Sequence, residues 1–471
     1  MGFCSSSSSS HESYLKHQIP LPKGYKYVQV LGEGAFGKVV QCVQKDTRQT
    51  VAIKIARRDS NLDEEAHMLS KLMHHNMDKF NIVKYHDKVN INNSVGLVFE
   101  MMDITLQDYL LELDGPMPLE NIRTAIQQLA TAFSGLKRIG VIHTDVKMNN
   151  IMIADQNRQP FKVKLIDFGL AIFNHQAKTG RVCQTPFYRA PEIMLGLPFS
   201  EEIDIWSLGC VMAIMVLGVM PFPGRIEYDA LRYIIDLIGP PPDHLLDAGL
   251  KSNLFFKKTD SNQWILKTPE EYWESAHCSM DERFYTFRSL DDVKKMRLEE
   301  NNETEAEDRE QCIELLKAML TWDGKERITP DEILNHPFIT KSYLRSSSRP
   351  RFYASLWKSA TQYRTPKTTK ETQDRYDDEN RTSHQVPFGV PVVRPADPEN
   401  RIPLYTPYGL DSDICPHSDT AYRTHHYNTD LPPTTFDDNK RKKNKKSRIN
   451  RFFSWMKGKF CSKHCEDNTQ K

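Results

Sequence analysis

What this chain lacks narrows it first. No apolar run in its 471 residues reaches the ~18 that a membrane-spanning helix requires. The longest, VMAIMVLGVMPF from Val211, is short and ends in proline, so it reads as a buried helix. There is no basic-then-apolar leader, because the chain starts MGFCSSSSSS, which argues against a secretory signal. Cysteine is sparse, nine residues with no C-x-x-C pair, so neither a disulfide framework nor a zinc module is expected and a reducing intracellular compartment fits. Net charge is only +1, but it is unevenly spread. Residues 440–471 hold twelve Lys/Arg against Glu466 and Asp467, a net of +10, which leaves −9 on residues 1–439.

The pattern along the chain predicts four stretches. Residues 1–24 are serine-rich and low in complexity. Residues 25–338 look globular. Residues 339–439, rich in Pro, Thr, Asn and Asp and poor in aliphatics, read as a disordered linker. Residues 440–471 form a basic tail. Within the globular part, YKYVQVLGEGAFGKVVQCVQ and TVAIKIA are β-branched runs broken by glycine. LQDYLLELDG and ENIRTAIQQLATAFSGLKRI carry apolar residues at helical spacing, and helical patterns dominate from about 195. Strands over about the first 80 residues of the globular part and helices after predict an α+β arrangement. The charged run 290–310 reads as a solvated insert.

Chemistry concentrates in a few short motifs. LGEGAFGKVV places Gly32, Gly34 and Gly37 where backbone can approach phosphate closely. A strand, not a helix, is predicted after them, and no strand–helix unit with a ribose-binding acid follows, which argues against a dinucleotide-binding oxidoreductase. In VAIK, Lys54 lies on a strand, able to hold phosphates if an acid pins it. The pinning acid is Glu65, three and four residues before Met68 and Leu69 and so on their inward face, with Glu64 the runner-up. HTDVKMNN has the spacing of H-R-D-x-x-x-x-N, with Thr144 where that motif has Arg. There Asp145 can accept or orient a hydroxyl proton, Lys147 can neutralise charge, and Asn150, with Asp167 of IDFG, can ligate Mg²⁺, which needs few protein ligands besides phosphate oxygens. YRAPE (188–192) and DIWSLG (204–209) follow in order.

With these motifs in this order, residues 25–338 resemble a eukaryotic protein kinase domain. LVFEMMDITLQDYL, YRAPEIMLGLPFSEEIDIWSLGCVMA, PGRIEYDALRYIIDLIGPP and RITPDEILNHPF are similar to the homeodomain-interacting protein kinases. The resemblance implies a bilobal serine/threonine kinase, its lobes divided near 102/103, using ATP and Mg²⁺ on protein substrates, Pro-directed, monomeric, with transcription regulators among its targets. It implies a nucleotide site of Leu31, Gly32, Glu33, Gly34, Ala35, Phe36, Gly37, Lys38, Val39, Ala52, Lys54, a gatekeeper Phe99 and a hinge of Glu100, Met101 and Met102. It also implies pairing of Glu192 with Arg327, bracing of the catalytic loop by Asp204, and hydrogen bonding of Thr185 to Asp145 and Lys147. Two departures stand out: Thr144 replaces the Arg of the general kinase motif, which homeodomain-interacting kinases also lack, and no Tyr lies between Asp167 and Tyr188, where these kinases autophosphorylate one. The expectation is a working kinase with altered activation control; the rival is a silent kinase-fold scaffold.

The two ends carry separate signals. MGFCSS fits N-myristoylation on Gly2, with Cys4 beside it for palmitoylation. Ile449, Phe452, Phe453, Met456 and Phe460 fall on one face of a basic helix, which reads as a membrane-surface or calmodulin-type segment. KRKKNKK also reads as a nuclear import run, so the expected location is nucleus or cytoplasm, with the membrane surface as alternative. No folded nucleic-acid reader is present. Thr365 and Thr406, each before Pro, are candidate self-phosphorylation sites.

Overall fold

The computed structural model describes residues 21–34, 37–57, 62–91, 94–113, 117–274, 283, 285, 288–294 and 303–346. Ala35 and Phe36, Gly2 and Cys4, the 347–439 stretch with Thr365 and Thr406, and the tail therefore lie outside the described residues.

A five-stranded antiparallel sheet opens the fold: β1 (Tyr25–Gly34), β2 (Gly37–Gln44), β3 (Thr50–Ala56), β4 (Tyr85–Ile91) and β5 (Ser94–Glu100), in the order β1-β2-β3-β5-β4. Its two faces come from the period-2 alternation of strands. On β3, Val51, Ile53 and Ile55 are buried in a small cluster with Val40, Cys42, Ile91 and Val98. Ala52 and Lys54 therefore point to the opposite face. Helix α1 (Asp63–His74) buries Glu65, Ala66, Met68, Leu69 and Leu72, one stripe at i, i+3, i+4 and i+7. Its other face is polar, and Glu64 is exposed.

The chain leaves the sheet at Met101. The second lobe begins with β6 (Ile104–Thr105) and α2 (Leu106–Glu112), which Thr105 caps by accepting a hydrogen bond from the Asp108 amide. Helix α3 (Leu119–Arg138) buries an apolar stripe from Ile122 to Leu136. β7 (Val141–Ile142), β8 (Ile151–Asp155), β9 (Gln159–Leu165) and β10 (Ile172–Phe173) form two small sheets, β6-β8-β9 and β7-β10. Helix α4 (Pro191–Leu195) leads to α5 (Glu202–Leu217), the helix expected from the VMAIMVL run, which is apolar nearly all round and buried along its length. The helical lobe thus contains strands that the coarse reading of the sequence did not assign. They flank the catalytic loop, where β7 and β8 are only two and five residues long.

The expectation of a solvated insert at 290–310 needs correction. α6 (Leu290–Lys294) buries Leu290 and Val293, and α7 (Glu303–Met319) buries Arg309 and Cys312. Asp308 forms an ion pair with the buried Arg123 of α3, whose Nε also donates to the Phe338 carbonyl at 2.6 Å. Asp308 and Arg309 of the charged run are thus used in pairing at the core's edge, whereas Asp291 and Glu310 stay exposed; residues 295–302 are not described.

Candidate active site

Lys54, from the cleft face of β3, meets Glu65, from the buried stripe of α1. Lys54 Nζ donates to Glu65 Oε1 at 2.9 Å and Oε2 at 2.8 Å, and to Asp167 Oδ1 at 2.8 Å. One ammonium thus joins sheet, helix and the segment after β9. Burial works to lower the Lys54 pKa, but the Asp167 and Glu65 carboxylates overcome it, and the net shift is upward. Glu65 is raised, mainly by burial and against the pull of Lys54. Burial pushes Asp167 the same way, but Lys54 reverses it and holds the group below its ordinary value. The pair is therefore read as ionic, with Lys54 firmly charged.

The 143–150 loop is fixed from beneath by α5. Asp204, fully buried, accepts the His143 amide at 2.6 Å and the Thr144 amide at 2.9 Å. Burial pushes its pKa up to about 6 despite those bonds and the nearby His143. His143 Nε2 lies 3.0 Å from the Ile166 carbonyl, and its ring packs edge-on against Phe168 at 4.8 Å. Thr144 has φ 66°, a left-handed conformation that costs a β-branched residue about 1–3 kcal/mol. It persists because Asp204 holds the amide and Thr144 Oγ1 donates to the Leu170 carbonyl at 2.7 Å.

Above this base lies the acceptor end. Lys147 Nζ donates to Asp145 Oδ2 at 2.6 Å, and Thr185 Oγ1 donates to Asp145 Oδ1 at 2.6 Å. Lys147 Nζ is also 3.3 Å from Thr185 Oγ1, so Thr185 stands where the resemblance implied. Asn150 Nδ2 donates to the Asp145 carbonyl at 2.8 Å and to Asp145 Oδ2 at 3.1 Å, which leaves the amide oxygen as its ligand atom.

The donor set fits a magnesium nucleotide. Asn150 offers one oxygen, and Asp167, about a third exposed, offers a carboxylate neutralised on one side by Lys54. Among the described residues no three His, Cys, Asp or Glu gather to hold a metal, so a cation there would need phosphate oxygens, as Mg²⁺ does. The glycines fit too. A Cβ on Gly32 or Gly34 would meet nothing within 4 Å, whereas one on Gly37 would lie 1.8 Å from the Ile55 carbonyl oxygen. Gly37 is thus required by strand packing, whereas the space around Gly32 and Gly34 is open. Ala52 pairs in register with Phe99, and Val51 with Glu100. Met101 and Met102 follow outside the ladder, so their backbone groups are not committed to the sheet. Glu100 turns aside to accept Lys164 Nζ at 2.6 Å. Leu31 is exposed, Val39 is half-buried, and Glu33 and Lys38 pair at 3.5 Å.

Two further residues, Gln184 and Ser207, organise the site without having been singled out in the sequence, and Arg189 of the YRAPE motif joins them. Gln184, φ 67°, donates to the Ile203 carbonyl and Ser207 Oγ, each at 2.9 Å, and accepts the Ala190 amide at 2.9 Å. Ser207 Oγ donates to the Tyr188 carbonyl at 2.6 Å. Arg189 donates to the Cys183 and Gln184 carbonyls, each at 3.0 Å, and to Glu227 at 2.9 Å. A signal for Ser207 existed: it lies at i+3 from Asp204 in an otherwise apolar helix, so both polar groups share a face. Glu192 and Arg327 form the expected buried bidentate pair, at 2.7 and 3.0 Å.

The protein kinase domain model matches residues 25–339. Homeodomain-interacting protein kinase 1 of Mus musculus is 42% identical over 347 residues, 70% of this chain and 29% of that protein. Homeodomain-interacting protein kinase 2 of Mesocricetus auratus is 42% identical over 357 residues, covering 72% and 31%. Homeodomain-interacting protein kinase 4 of Homo sapiens is 38% identical over 354 residues, covering 70% and 58%. The chain spans about a third of the first two relatives' length, and the similarity covers the kinase region. A fold of β-rich lobe and helical lobe, an Asp145 loop braced from α5 and a family match over two thirds of the sequence lead to one conclusion: the chain belongs to the protein kinase family.

Proposed function

We propose that this chain is an ATP-dependent protein serine/threonine kinase, and that it transfers the γ-phosphoryl group of MgATP to hydroxyls of protein substrates. One observation carries the reading: Lys54 is bonded at once to Glu65 and Asp167, while Asp145, Lys147 and Asn150 share one hydrogen-bonded group. A scaffold has no need of a buried cation held by two acids, which is costly unless every charge is matched.

When bound, MgATP supplies the reactive phosphoryl group and the metal that offsets its charge. Asn150 and Asp167 would hold the metal, and Lys54 the α- and β-phosphates. Leu31, Val39, Ala52 and Phe99 would enclose the adenine, and the backbone of Glu100 to Met102 would read its edge. The strand backbone at Gly32, Glu33, Gly34, Gly37 and Lys38 would cover the phosphates. Asp145 would orient the acceptor hydroxyl and take its proton, while Lys147 offsets the negative charge beside it. Catalysis here is positioning and charge stabilisation rather than covalent chemistry.

Proline after the acceptor suits the same geometry. The left-handed turn at Gln184 swings its carbonyl into Arg189, so that oxygen is not offered to an incoming peptide N–H. A residue placed there loses a hydrogen bond unless it has no N–H to satisfy, and proline has none. Transcription regulators as targets rest only on the similarity to homeodomain-interacting kinases.

The test is transfer from radiolabelled MgATP to a generic basic protein and to the chain itself, with Asp145→Asn as control. The reading expects transfer by the wild type and at least about a hundredfold less by the variant. Equal, background transfer by both would remove the kinase reading and favour the scaffold.

A further inference from the structure

We propose that Thr144 is a positioning residue that orders the activation segment without phosphorylation, through the hydrogen bond from its hydroxyl to the Leu170 carbonyl. The inference rests on the kinase reading for its consequences in rate, but not for its structural content.

The position is unusual in what it lacks and what it does. Where the loop motif has a guanidinium able to grip a phosphate, this chain has a short hydroxyl, 1% exposed. That hydroxyl reaches inward. It bonds, at 2.7 Å, the carbonyl three residues beyond Asp167, so the loop carrying Asp145 and the segment carrying Asp167 are joined by one short link. The same residue's amide is held by Asp204, so the link is anchored to the buried α5 and not to a mobile surface.

The segment beyond Leu170 is fastened by further contacts between protein groups. Ile172 and Phe173 pair with Ile142 and Val141. The Asn174 amide donates to the Gly140 carbonyl at 2.9 Å, and Gln176 accepts the Phe173 amide at 2.9 Å. Lys71 of α1 sits over the Phe173 ring at 4.6 Å, which couples the helix bearing Glu65 to the segment. At the far end Gln184, Thr185 and Arg189 make the bonds described above. Between them only residues 178–182 stand exposed, with Thr179 on a turn. Arg189 is already spent on two carbonyls and Glu227, while Arg181, two residues after Thr179, is exposed. The anchors on either side of 178–182 are made by protein groups, so the path of the segment is set without a contact from Thr179.

The experiment uses the full chain with Thr144→Val and Thr144→Ala, which both remove the hydroxyl but differ in β-branching, and Thr144→Ser, which restores it. Steady-state kinetics are read as kcat against KM, before and after phosphatase treatment. Amide hydrogen exchange is followed at residues 167–176. The expected result is a kcat about tenfold lower in both hydroxyl-free variants, with KM for ATP within about twofold, and rescue by serine to within about twofold. Exchange at 167–176 should rise about tenfold in the same two variants, and phosphatase treatment should leave wild-type kcat within about twofold. Wild-type kcat and exchange in Thr144→Val would overturn the proposal. So would a phosphatase-treated wild type losing more than about tenfold, because order would then depend on phosphate. If the wild type transfers no phosphate at all, the kinase reading falls, and the exchange comparison still decides the role of Thr144.

Discussion

Burial works to lower the Lys54 pKa, and the flanking Asp167 and Glu65 carboxylates more than offset it. Lys54→Met removes the centre of that arrangement, and kcat is expected to fall at least about a hundredfold. Glu65→Gln leaves Lys54 tied to Asp167 alone, and a loss of about ten- to hundredfold is expected. Steady-state kinetics on both would check this, and a Glu65→Gln enzyme at wild-type rate would remove the pinning role. Arg189 makes a different prediction. Arg189→Gln frees the Gln184 carbonyl, so discrimination between Ser-Pro and Ser-Ala peptides should narrow by about tenfold in kcat/KM, the worth of roughly one hydrogen bond. Unchanged discrimination would show that proline is chosen elsewhere or not at all. These residues differ in how far the sequence revealed them. Glu65 was legible because helical spacing decides which of two adjacent acids faces inward. Arg189 could be placed by its motif, but not its grip on Cys183 and Gln184, because that depends on a left-handed turn at a non-glycine residue. No residue-type pattern announces such a turn; it exists because α5 supplies Ser207 and the Ile203 carbonyl to hold Gln184.

Short elements show where pattern reading stops. The helix α3 and the strands β2 and β3 were legible because each buries enough side chains to leave a pattern, whereas α5 was legible as a continuous apolar run and β1, which buries no residue, as β-branched residues broken by glycine. β7, β10 and the helices after 330 are two to six residues long, too few for any period to register. The pair α8 (Pro330–Asn335) and α9 (Pro337–Thr340) also contains a proton-sensitive cap. His336 Nδ1 accepts the Phe338 amide at 3.2 Å, which requires an unprotonated ring nitrogen. Burial lowers the His336 pKa, with Glu314 opposing it weakly. Below about pH 6.5 the unfolded chain takes up a proton that the folded chain refuses. The stability this group contributes is therefore complete above that pH and is lost as pH falls through the lowered folded value. Asp204 acts with opposite sign: its folded pKa is raised, so the folded chain binds the extra proton between its unfolded value and about 6. Comparison with a variant separates the two. The urea midpoint should decline less between pH 7 and pH 5 in His336→Asn, whose amide oxygen can still cap the helix, than in the wild type. Parallel slopes would show that the cap does not sense protons.

At the scale of the whole chain, the charge is divided between an acidic body, −9 over residues 1–439, and a basic end, +10 over 440–471. The kinase fold explains the first part well. Some of its acids are placed on pairs such as Glu192–Arg327 and Asp308–Arg123, and the net −9 is what such pairs leave over. The second part lies outside the described residues, and there the sequence alone speaks. Ile449, Phe452, Phe453, Met456 and Phe460 alternate with lysine and arginine at helical spacing, which predicts attraction to an anionic membrane surface, about 1 kcal/mol for each basic residue near it. Full-length chain without acylation should therefore sediment with phosphatidylserine vesicles at ~50 mM salt, and residues 1–439 should not. Raising salt to ~500 mM shrinks the screening length several-fold and should release most of the bound protein. Phe452→Ser with Phe453→Ser should weaken binding at low salt while leaving the salt dependence in place, since the charges remain. Equal sedimentation of the full and shortened chains would end the membrane reading of the tail. KRKKNKK would then stand as an import signal, to be tested by whether its removal keeps the kinase out of the nucleus.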